Sequence, residues 1–326
     1  MKALVFGDIH VHNYATFNNK ENRRLENTLK AIRYIFKHAD KVGAEYILFV
    51  GDLYNQQGFL PTLVVNRTVE TFKTLFDRYK NIKLVAITGN HDLASKQVKG
   101  KKAVSALGHL DSLFENFKLI DNKVYSIEVE KGCFTEIHGI PYFDYSEHFS
   151  QVLDSCKICN LQGSKNILLT HQMSTDFGNS MINTDIDFTD DRFKQFDMVF
   201  NGHVHLHQEL AKNFINVGSP LPRDVDDIGV DKGFIEFDLE NPKNWEFISL
   251  TNLFPQIIIK TVGEELTAWD KLQYIKEIPA VIEDIEEEIK FEDYSSNKKP
   301  SEILTNYCND TDNRDKLNIG LKLLSI

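Results

Sequence analysis

Short apolar runs of strand length recur along the chain, and longer amphipathic stretches lie between them. Five of these runs are predicted to be β-strands, at residues 3–6, 46–50, 84–87, 167–169 and 198–200. Apolar positions at helical spacing predict one helix over residues 22–42 and another over residues 63–79. Because strands and helices alternate, the pattern predicts βαβ units and an α/β fold that contains parallel strands.

Each predicted strand is followed by side chains that can bind a metal ion, and most of these segments contain a glycine that permits a tight turn. In chain order the side chains are Asp8 and His10, Asp52, Asn90 and His91, His171, and His203 and His205. A single motif of this kind usually marks only a turn or a surface residue. Five such motifs, each at the end of a predicted strand, are better explained by a shared site, because ligand sites form where the carboxyl ends of strands meet. The pattern therefore predicts one site built from all five strand ends.

The residue types at these strand ends indicate the chemistry. Carboxylate, amide oxygen and imidazole groups suit manganese, iron or zinc, and the absence of thiolates argues against a structural zinc site. There are more candidate ligands than one ion needs. We therefore expect two ions that share one carboxylate, an arrangement that promotes in-line attack on phosphorus.

The composition is that of an ordinary globular protein, since 42% of the 326 residues are hydrophobic and 26% are charged. A net charge of −11 excludes a polycation, so nucleic-acid binding requires a local basic patch, a metal site or a partner subunit. Four cysteines make no disulfide framework, which fits a reducing compartment. No apolar run is long enough for a signal peptide or a membrane helix. The expected location is the cytoplasm, without membrane association, and the host cytoplasm if a phage encodes the protein.

The ordered motifs D-x-H, G-D, G-N-H-D, H and G-H-x-H, spread over residues 1–219, resemble the calcineurin-like metallophosphoesterase superfamily. The segment IHGIPY at residues 137–142, the segment NVGSP at residues 216–220 and the segment KGF at residues 232–234 resemble SbcD-type DNA repair nucleases within it. The resemblance implies an α/β sandwich of mixed β-sheets flanked by helices.

The resemblance also implies roles for individual residues. Two divalent ions would share Asp52, with manganese expected and magnesium, iron or zinc as alternatives. One ion would be held by Asp8, His10, Asp52 and His205, and the other by Asp52, Asn90, His171 and His203. His91 would not bind metal but would face the scissile phosphate and help to protonate the leaving oxygen, with Asp92 orienting its ring. His207 is left over and is expected at the rim or in solvent.

Two further features bear on DNA. Lys96, Lys99, Lys101 and Lys102 follow the third motif, and they are expected either to contact DNA phosphates or to lie on a solvated loop. Asn55 stands where many members of the superfamily carry His or Asp, a position expected near the DNA strands. Since asparagine does not titrate, the balance of exonuclease and endonuclease activity cannot be taken from the family.

The organisation expected from the sequence is a nuclease domain over residues 1–240, with a turn or junction at residues 240–244. A small α+β capping module over residues 250–293 would contain a strand at 255–262 and a helix at 264–278. A C-terminal helical partner-binding segment would occupy residues 300–326. The resemblance implies three partners, which are DNA, an SbcC-like ABC-type ATPase with a coiled coil, and a second copy of the chain in a homodimer.

Three functions stay open from the sequence. The first is a manganese-dependent DNA nuclease, acting as a double-strand exonuclease and single-strand endonuclease within an SbcCD-like repair and recombination complex. The second is a phosphodiesterase or phosphatase of the same superfamily that acts on small substrates. The third is a non-catalytic assembly subunit that keeps only the fold. The complete set of ligand residues argues against the third.

Overall fold

The computed structural model describes residues 1–14, 23–95, 104–174 and 186–278. The strands in these ranges are β1 (Lys2–Phe6), β2 (Tyr46–Phe49), β3 (Lys83–Ala86), β4 (Phe117–Leu119), β5 (Lys123–Glu130), β6 (Cys133–Ile140), β7 (Lys165–His171), β8 (Met198–Gly202), β9 (Gln208–Ala211), β10 (Phe214–Asn216), β11 (Gly233–Asp238), β12 (Asn241–Ser249), β13 (Ile257–Thr261) and β14 (Tyr274–Ile278). The helices are α1 (Arg23–Val42), α2 (Thr62–Arg78), α3 (Gly108–Leu113) and α4 (Ser146–Ser155), with 3-10 turns at Asp191–Gln195, Val225–Asp227 and Asp270–Leu272.

Two six-stranded mixed sheets form the centre of the fold. The first has the order β12-β11-β1-β2-β3-β4, and the second has the order β5-β6-β7-β8-β10-β9. Strands β1 to β4 are parallel to one another, and β11 joins β1 in antiparallel orientation. In the second sheet β6, β7, β8 and β10 are parallel. The expected α/β fold with parallel strands is therefore confirmed.

The alternation of side chains along β1 shows how the layers are made. Ala3 and Val5 point to the core between the two sheets, where they join Leu169 and Phe200 of the second sheet. The intervening residues of β1 point to the other face, which the first two helices cover. From Ala3 to Phe6 both faces of this strand are buried, and these four residues form a continuous apolar run.

Helices α1 and α2 cover the outer face of the first sheet with large apolar side chains, including Phe36 and Phe72, which are fully buried. Burying an aromatic side chain of this kind stabilises the fold by about 1.5–3 kcal/mol. Helix α4 and the turn at Asp191–Gln195 cover the second sheet through Phe149, Leu153 and Phe193. The result is a sandwich of two mixed sheets between helical layers.

The small module after the sandwich differs from its prediction. Strand β13 is found where a strand was expected, but the predicted helix over residues 264–278 is wrong. This segment contains the turn at Asp270–Leu272 and then β14, which pairs in parallel with β13. Asp270 accepts hydrogen bonds from the backbone and hydroxyl of Thr267, at 2.9 and 2.8 Å, which favours a local turn over a helix.

Residues 240–244 form part of a hairpin in the first sheet. The chain reverses after β11 and continues directly as β12, which pairs antiparallel with β11. The first sheet thus extends to residue 249, beyond the expected junction. The division into three domains stays a prediction.

Several predictions fall outside the described residues. They concern Lys96, Lys99, Lys101 and Lys102, the end of the capping module and the segment over residues 300–326. In the described ranges, no helix combines the length and the apolar character that crossing a bilayer requires.

Candidate metal centre

The loops after β1, β2, β3, β7 and β8 meet at one edge of the sandwich and bring the predicted site residues together. Three overlapping groups of side chains have ligand atoms within 4.8 Å of one another. The groups are Asp8, His10 and His205; His10, Asp52 and His91; and Asp8, Asp52 and His171. The first sheet supplies the aspartates and His10, whereas the second supplies His171 and His205. The site is therefore built between the sheets.

One half of the site lies around His10. Its Nε2 is 3.0 Å from Nε2 of His205 and 3.6 Å from Oδ2 of Asp52. Nε2 of His205 is 3.8 Å from Oδ1 of Asp8. Two imidazole nitrogens and two carboxylate oxygens thus converge, and such a set of donors fits a divalent ion.

The other half lies around Asn90. Its Oδ1 is 3.0 Å from Nε2 of His171 and 2.9 Å from Nδ1 of His203. Nε2 of His171 is also 3.4 Å from Oδ2 of Asp52. The same oxygen of Asp52 therefore faces both halves, which is the position that a shared carboxylate requires. The donors fit two divalent ions, and the assignment of individual ligands to each ion stays a prediction.

The fold fixes the orientation of His171. Its Nδ1 donates a hydrogen bond to the carbonyl of Val50, at 2.6 Å, which leaves Nε2 free to face Asp52 and Asn90. The ring packs so tightly against the neighbouring loop that a Cβ at Gly202 would lie 2.6 Å from Nδ1. Glycine is required there because any side chain would displace the His171 ring.

Four predicted ligands have left-handed backbone conformations, which are uncommon for residues other than glycine. Their φ angles are 50° for Asp8, 47° for His10, 59° for Asp52 and 76° for His203. Each conformation costs about 1–3 kcal/mol and persists only where surrounding contacts stabilise it. Here the backbone N–H of Asp8 donates to Gly51, that of His10 to Asp52, and that of His203 to the Asp8 carboxylate. Such clustering of strain is typical of functional sites.

Three histidines in the site are held in the neutral form that metal binding needs. Burial is the largest cause of the lowered pKa of His10, His203 and His205. The pKa is about 3 for His203 and about 4 for His205. At neutral pH these rings therefore offer free lone pairs.

The pKa values of His171 and Asp8 are raised, in contrast to those of the three other histidines. Burial opposes a charge on His171, but the Asp52 carboxylate, together with Asp8 and the Val50 carbonyl, outweighs it and raises the pKa of His171 to about 9. Burial, helped by repulsion from Asp52 and opposed by attraction to His171, raises the pKa of Asp8 to about 7. Two buried carboxylates at this spacing call for positive charge, which protons supply in the metal-free protein.

The group that orients the His91 ring is not the predicted Asp92 side chain. Its Nδ1 lies 2.7 Å from the backbone carbonyl of Asn55, and its backbone N–H donates to Oδ1 of Asp52 at 2.8 Å. The carbonyl of Asn55 therefore orients the ring and directs Nε2 towards the site. The side-chain Oδ1 of Asn55 is buried without a hydrogen-bond partner in the described part of the chain.

The Asp92 carboxylate binds backbone N–H groups and not the His91 ring, so the prediction that it orients His91 is wrong. Its carboxylate accepts hydrogen bonds from the N–H groups of Asp52, Tyr54 and Gly89, at 2.8, 3.0 and 3.1 Å. Burial and the Asp52 charge raise the pKa of Asp92 to about 8, and these donors oppose that shift. Asp92 thus connects the loop of Asp52 to the loop of Asn90.

The motifs at residues 216–220 and 232–234 position His205, a role that the sequence did not reveal. The buried Nζ of Lys232 donates to the His205 carbonyl at 2.9 Å and pairs with Asp227. The backbone N–H of Ser219 donates to the same carbonyl at 3.1 Å. The signal was present in these motifs, but the sequence alone assigned them to a subfamily and not to a contact.

His207 and Tyr142 pack beside the ligands. The half-buried His207 ring stacks on Phe247 with centroids 4.2 Å apart and meets Trp245 edge-on, so it packs on the protein surface and does not extend into solvent. Tyr142 follows β6 and stacks on His203 with centroids 5.7 Å apart. These aromatic side chains pack against the segment that carries the last two predicted ligands.

These features define a metallophosphoesterase. The chain belongs to the calcineurin-like phosphoesterase family, whose profile matches residues 1–207 and so includes all seven predicted ligands. It is accordingly a metal-dependent phosphoester hydrolase by family. The chain is also similar to the DNA double-strand break repair protein Mre11 of Archaeoglobus fulgidus, at 23% identity over 215 residues. That match covers 63% of this chain and 46% of the relative, so the chain spans less than half of the relative's length.

Several solved structures are also similar. The protein TT1561 of Thermus thermophilus is 11% identical with a TM-score of 0.42, over 76% of this chain and 98% of that one. A putative 5'-nucleotidase from Staphylococcus aureus is 14% identical with a TM-score of 0.42, over 76% and 52%. The Pseudomonas putida nuclease MPE is 17% identical with a TM-score of 0.28, over 64% and 63%. Similarity at this level does not transfer a substrate.

Proposed function

We propose that this protein is a manganese-dependent DNA nuclease that hydrolyses phosphodiester bonds, acting as a double-strand exonuclease and a single-strand endonuclease. The observation that carries the proposal is the position of Asp52, whose Oδ2 faces both His10 and His171 at 3.6 and 3.4 Å. DNA is the substrate favoured by the match to Mre11 and by the motifs that hold His205. Manganese suits this mixture of oxygen and nitrogen donors.

In this proposal Asp52 and the other predicted ligands bind the metal ions, and His91 transfers a proton. When bound, two divalent ions would stabilise charge on the phosphate and lower the pKa of water near it. Asp52 is placed to hold both ions, with three further side chains on each side. The Nδ1–H of His91 donates to the Asn55 carbonyl, so Nε2 faces the site, and when Nε2 also carries a proton it can deliver that proton to the leaving oxygen.

The main alternative is a phosphodiesterase or phosphatase for small substrates, since the same donor set serves both. We test the choice with manganese, end-labelled duplex DNA, circular single-stranded DNA and bis-p-nitrophenyl phosphate. The proposal expects cleavage of all three, with Asp52→Ala inactive on each. Hydrolysis of the chromogenic diester alone would establish the alternative, and inactivity of the manganese-loaded protein on every substrate would favour an assembly role.

We further propose that the protein acts with an SbcC-like ATPase and as a homodimer. The net charge of −11 opposes long-range attraction to DNA, so a partner is the simplest source of additional grip. Deleting residues 301–326 should preserve diesterase activity and abolish ATP-stimulated degradation of duplex DNA with the partner. Loss of the diesterase activity itself would assign this segment to the protein's own core.

A further inference from the structure

The outer face of the second sheet ends in a row of carboxamide side chains beside the ligand loops. Asn201 on β8 is the register partner of Asn216 on β10, and Asn216 is in turn paired with Gln208 on β9. Two residues earlier on β8 and β10, the same face carries Val199 and Phe214, which pack in the apolar core beneath α4. Apolar side chains would continue the pattern of this face, so the three carboxamides require a separate explanation.

The three carboxamides, called the amide ladder below, bind one another across the strands. Nδ2 of Asn201 donates to Oδ1 of Asn216 at 2.9 Å, and Nδ2 of Asn216 donates to Oε1 of Gln208 at 3.2 Å. Both asparagines are buried, and the glutamine is half-buried. The loop that carries His203 and His205 leaves the sheet after β8 and returns to it at β9. The ladder therefore joins the two ends of this loop.

The ladder also holds the segment that follows His171, the third predicted ligand from this sheet. Oδ1 of Asn201 accepts a hydrogen bond from the N–H of Gln172 at 3.0 Å, and Nδ2 of Asn201 donates to the Gln172 carbonyl at 2.9 Å. The hydroxyl of Ser174 donates to Oδ1 of Asn216 at 2.9 Å. Each predicted ligand of the second sheet thus lies within three residues of a group that belongs to the ladder or binds it.

These hydrogen bonds fix position more than they add stability. A carboxamide loses hydrogen bonds to water when it is buried, so its bonds inside the protein give only a small net stabilisation. Apolar side chains of similar shape would fill the same space at little or no cost in stability. Hydrogen bonds add direction, because they form only at a particular distance and angle between the strands. The ladder is therefore suited to holding ligand loops in place.

We propose that Asn216 is a positioning residue for the metal centre, which holds His203 and His205 at a fixed spacing through the amide ladder. Asn216 is the central member, so it acts on both ends of the loop. Lys232 holds the middle of the same loop at the His205 carbonyl. Asp92 connects two ligand loops of the first sheet in a comparable way. The inference rests on metal binding and not on the choice of substrate.

The test compares Asn216→Leu with a matched control, Asn166→Leu. Each asparagine is buried in the second sheet, and its side chain forms three hydrogen bonds within the described residues. Asn166 lies at the start of β7 and binds the backbone of Cys159, at the end of the strand opposite to His171. Leucine is close to asparagine in shape, so each variant loses hydrogen bonds without leaving a large cavity.

Manganese affinity is measured by calorimetric titration below the lowest Tm of the three proteins. Asn216→Leu should weaken manganese binding by about 10–100-fold, the usual effect of removing a group that orients metal ligands. Asn166→Leu should bind manganese as tightly as the wild type, although its Tm should fall at least as far. Electron paramagnetic resonance provides a second readout, because it distinguishes a coupled pair of manganese ions from separate ions. At a manganese concentration that saturates the wild type, Asn216→Leu should lose the signal of the pair.

Two results would overturn the positioning role. One is an unchanged manganese affinity in Asn216→Leu. The other is an equal loss of affinity in Asn166→Leu, since general loosening of the second sheet would then be a sufficient cause. If Asn216→Leu does not fold, Gln208→Leu removes a single bond of the ladder at a half-buried position. It should weaken manganese binding to a smaller extent, and wild-type affinity in that variant would reject the proposal. A wild-type protein that binds no manganese would instead reject the metal centre itself.

Discussion

His91 is held by two contacts that leave one ring nitrogen for chemistry. Replacing it with glutamine should lower kcat by about 10²–10⁴-fold, the usual effect of removing a general acid. Manganese content should stay at the wild-type level, because the predicted ligands are seven other side chains. His91 does lie within reach of His10 and Asp52. A parallel loss of manganese, measured by elemental analysis, would therefore show that His91 is a ligand.

Replacing Asp92 should lower the free energy of unfolding more than it lowers kcat. Asp92→Ala leaves three buried N–H groups without their acceptor, at about 1–3 kcal/mol each when a group stays unsatisfied. We expect a large fall in the free energy of unfolding, measured in denaturant. Asp92→Asn keeps one acceptor oxygen and should lose less. A stable Asp92→Ala protein with impaired kcat alone would contradict this role.

The raised pKa of His171 makes metal binding depend on pH. Below about pH 9 the metal-free protein holds a proton on His171, and this proton must leave when the nitrogen binds a metal ion. Manganese affinity should therefore increase as pH rises from about 6 to about 9, and binding at about pH 7.5 should release about one proton from this residue. Calorimetry in two buffers of different ionisation enthalpy measures this release. Binding without proton release would show that His171 is already neutral.

The side chains of the site could be predicted from the sequence, because each one directly follows an apolar run. The contacts that orient them could not. Asn55 orients His91 through its backbone carbonyl. Every residue has such a carbonyl, so this contact cannot be recognised from the type of residue at position 55. Asp92 follows His91 in sequence but points to the backbone of another loop, which only the folded chain reveals.

At the scale of elements, periodicity predicted α1 and α2 closely but failed for β14. The helices have apolar faces that repeat over several turns, so local sequence is enough to define them. Strand β14 is five residues long, and its identity depends on pairing with β13. A partner distant in sequence is invisible to a local pattern, and tertiary contacts outweigh local propensity.

The loop that carries His205 depends on one buried ion pair. Lys232→Met should lower the free energy of unfolding by about 3–5 kcal/mol, because it leaves Asp227 buried without its cation. It also removes the donor to the His205 carbonyl, so manganese affinity should fall. Lys232→Arg, which keeps the charge, should be less severe in both measurements. An unchanged manganese titration in Lys232→Met would show that Ser219 alone holds this loop.

For the whole molecule, a metal centre built from both sheets should couple their stabilities. Manganese at about a hundred times its Kd should raise the free energy of unfolding by about 2.7 kcal/mol for each site, and chelation should reverse the gain. Calorimetric melting with and without manganese measures the increment. Asp52→Ala is the matched control, since it should lose the increment as a shared ligand. Equal increments in both proteins would place the bound metal elsewhere.

The central position of β1 also determines when the site can exist during synthesis. Lys2 of β1 is the register partner of Asp238 on β11, and Asp8 accepts a hydrogen bond from the backbone of His203. A growing chain therefore exposes its first two ligands long before their partners leave the ribosome. Until β11 emerges, β1 has an open edge and the two sheets cannot close around the loops. Stalled or truncated translation products that end before residue 203 consequently lack the last two predicted ligands and cannot form the complete centre.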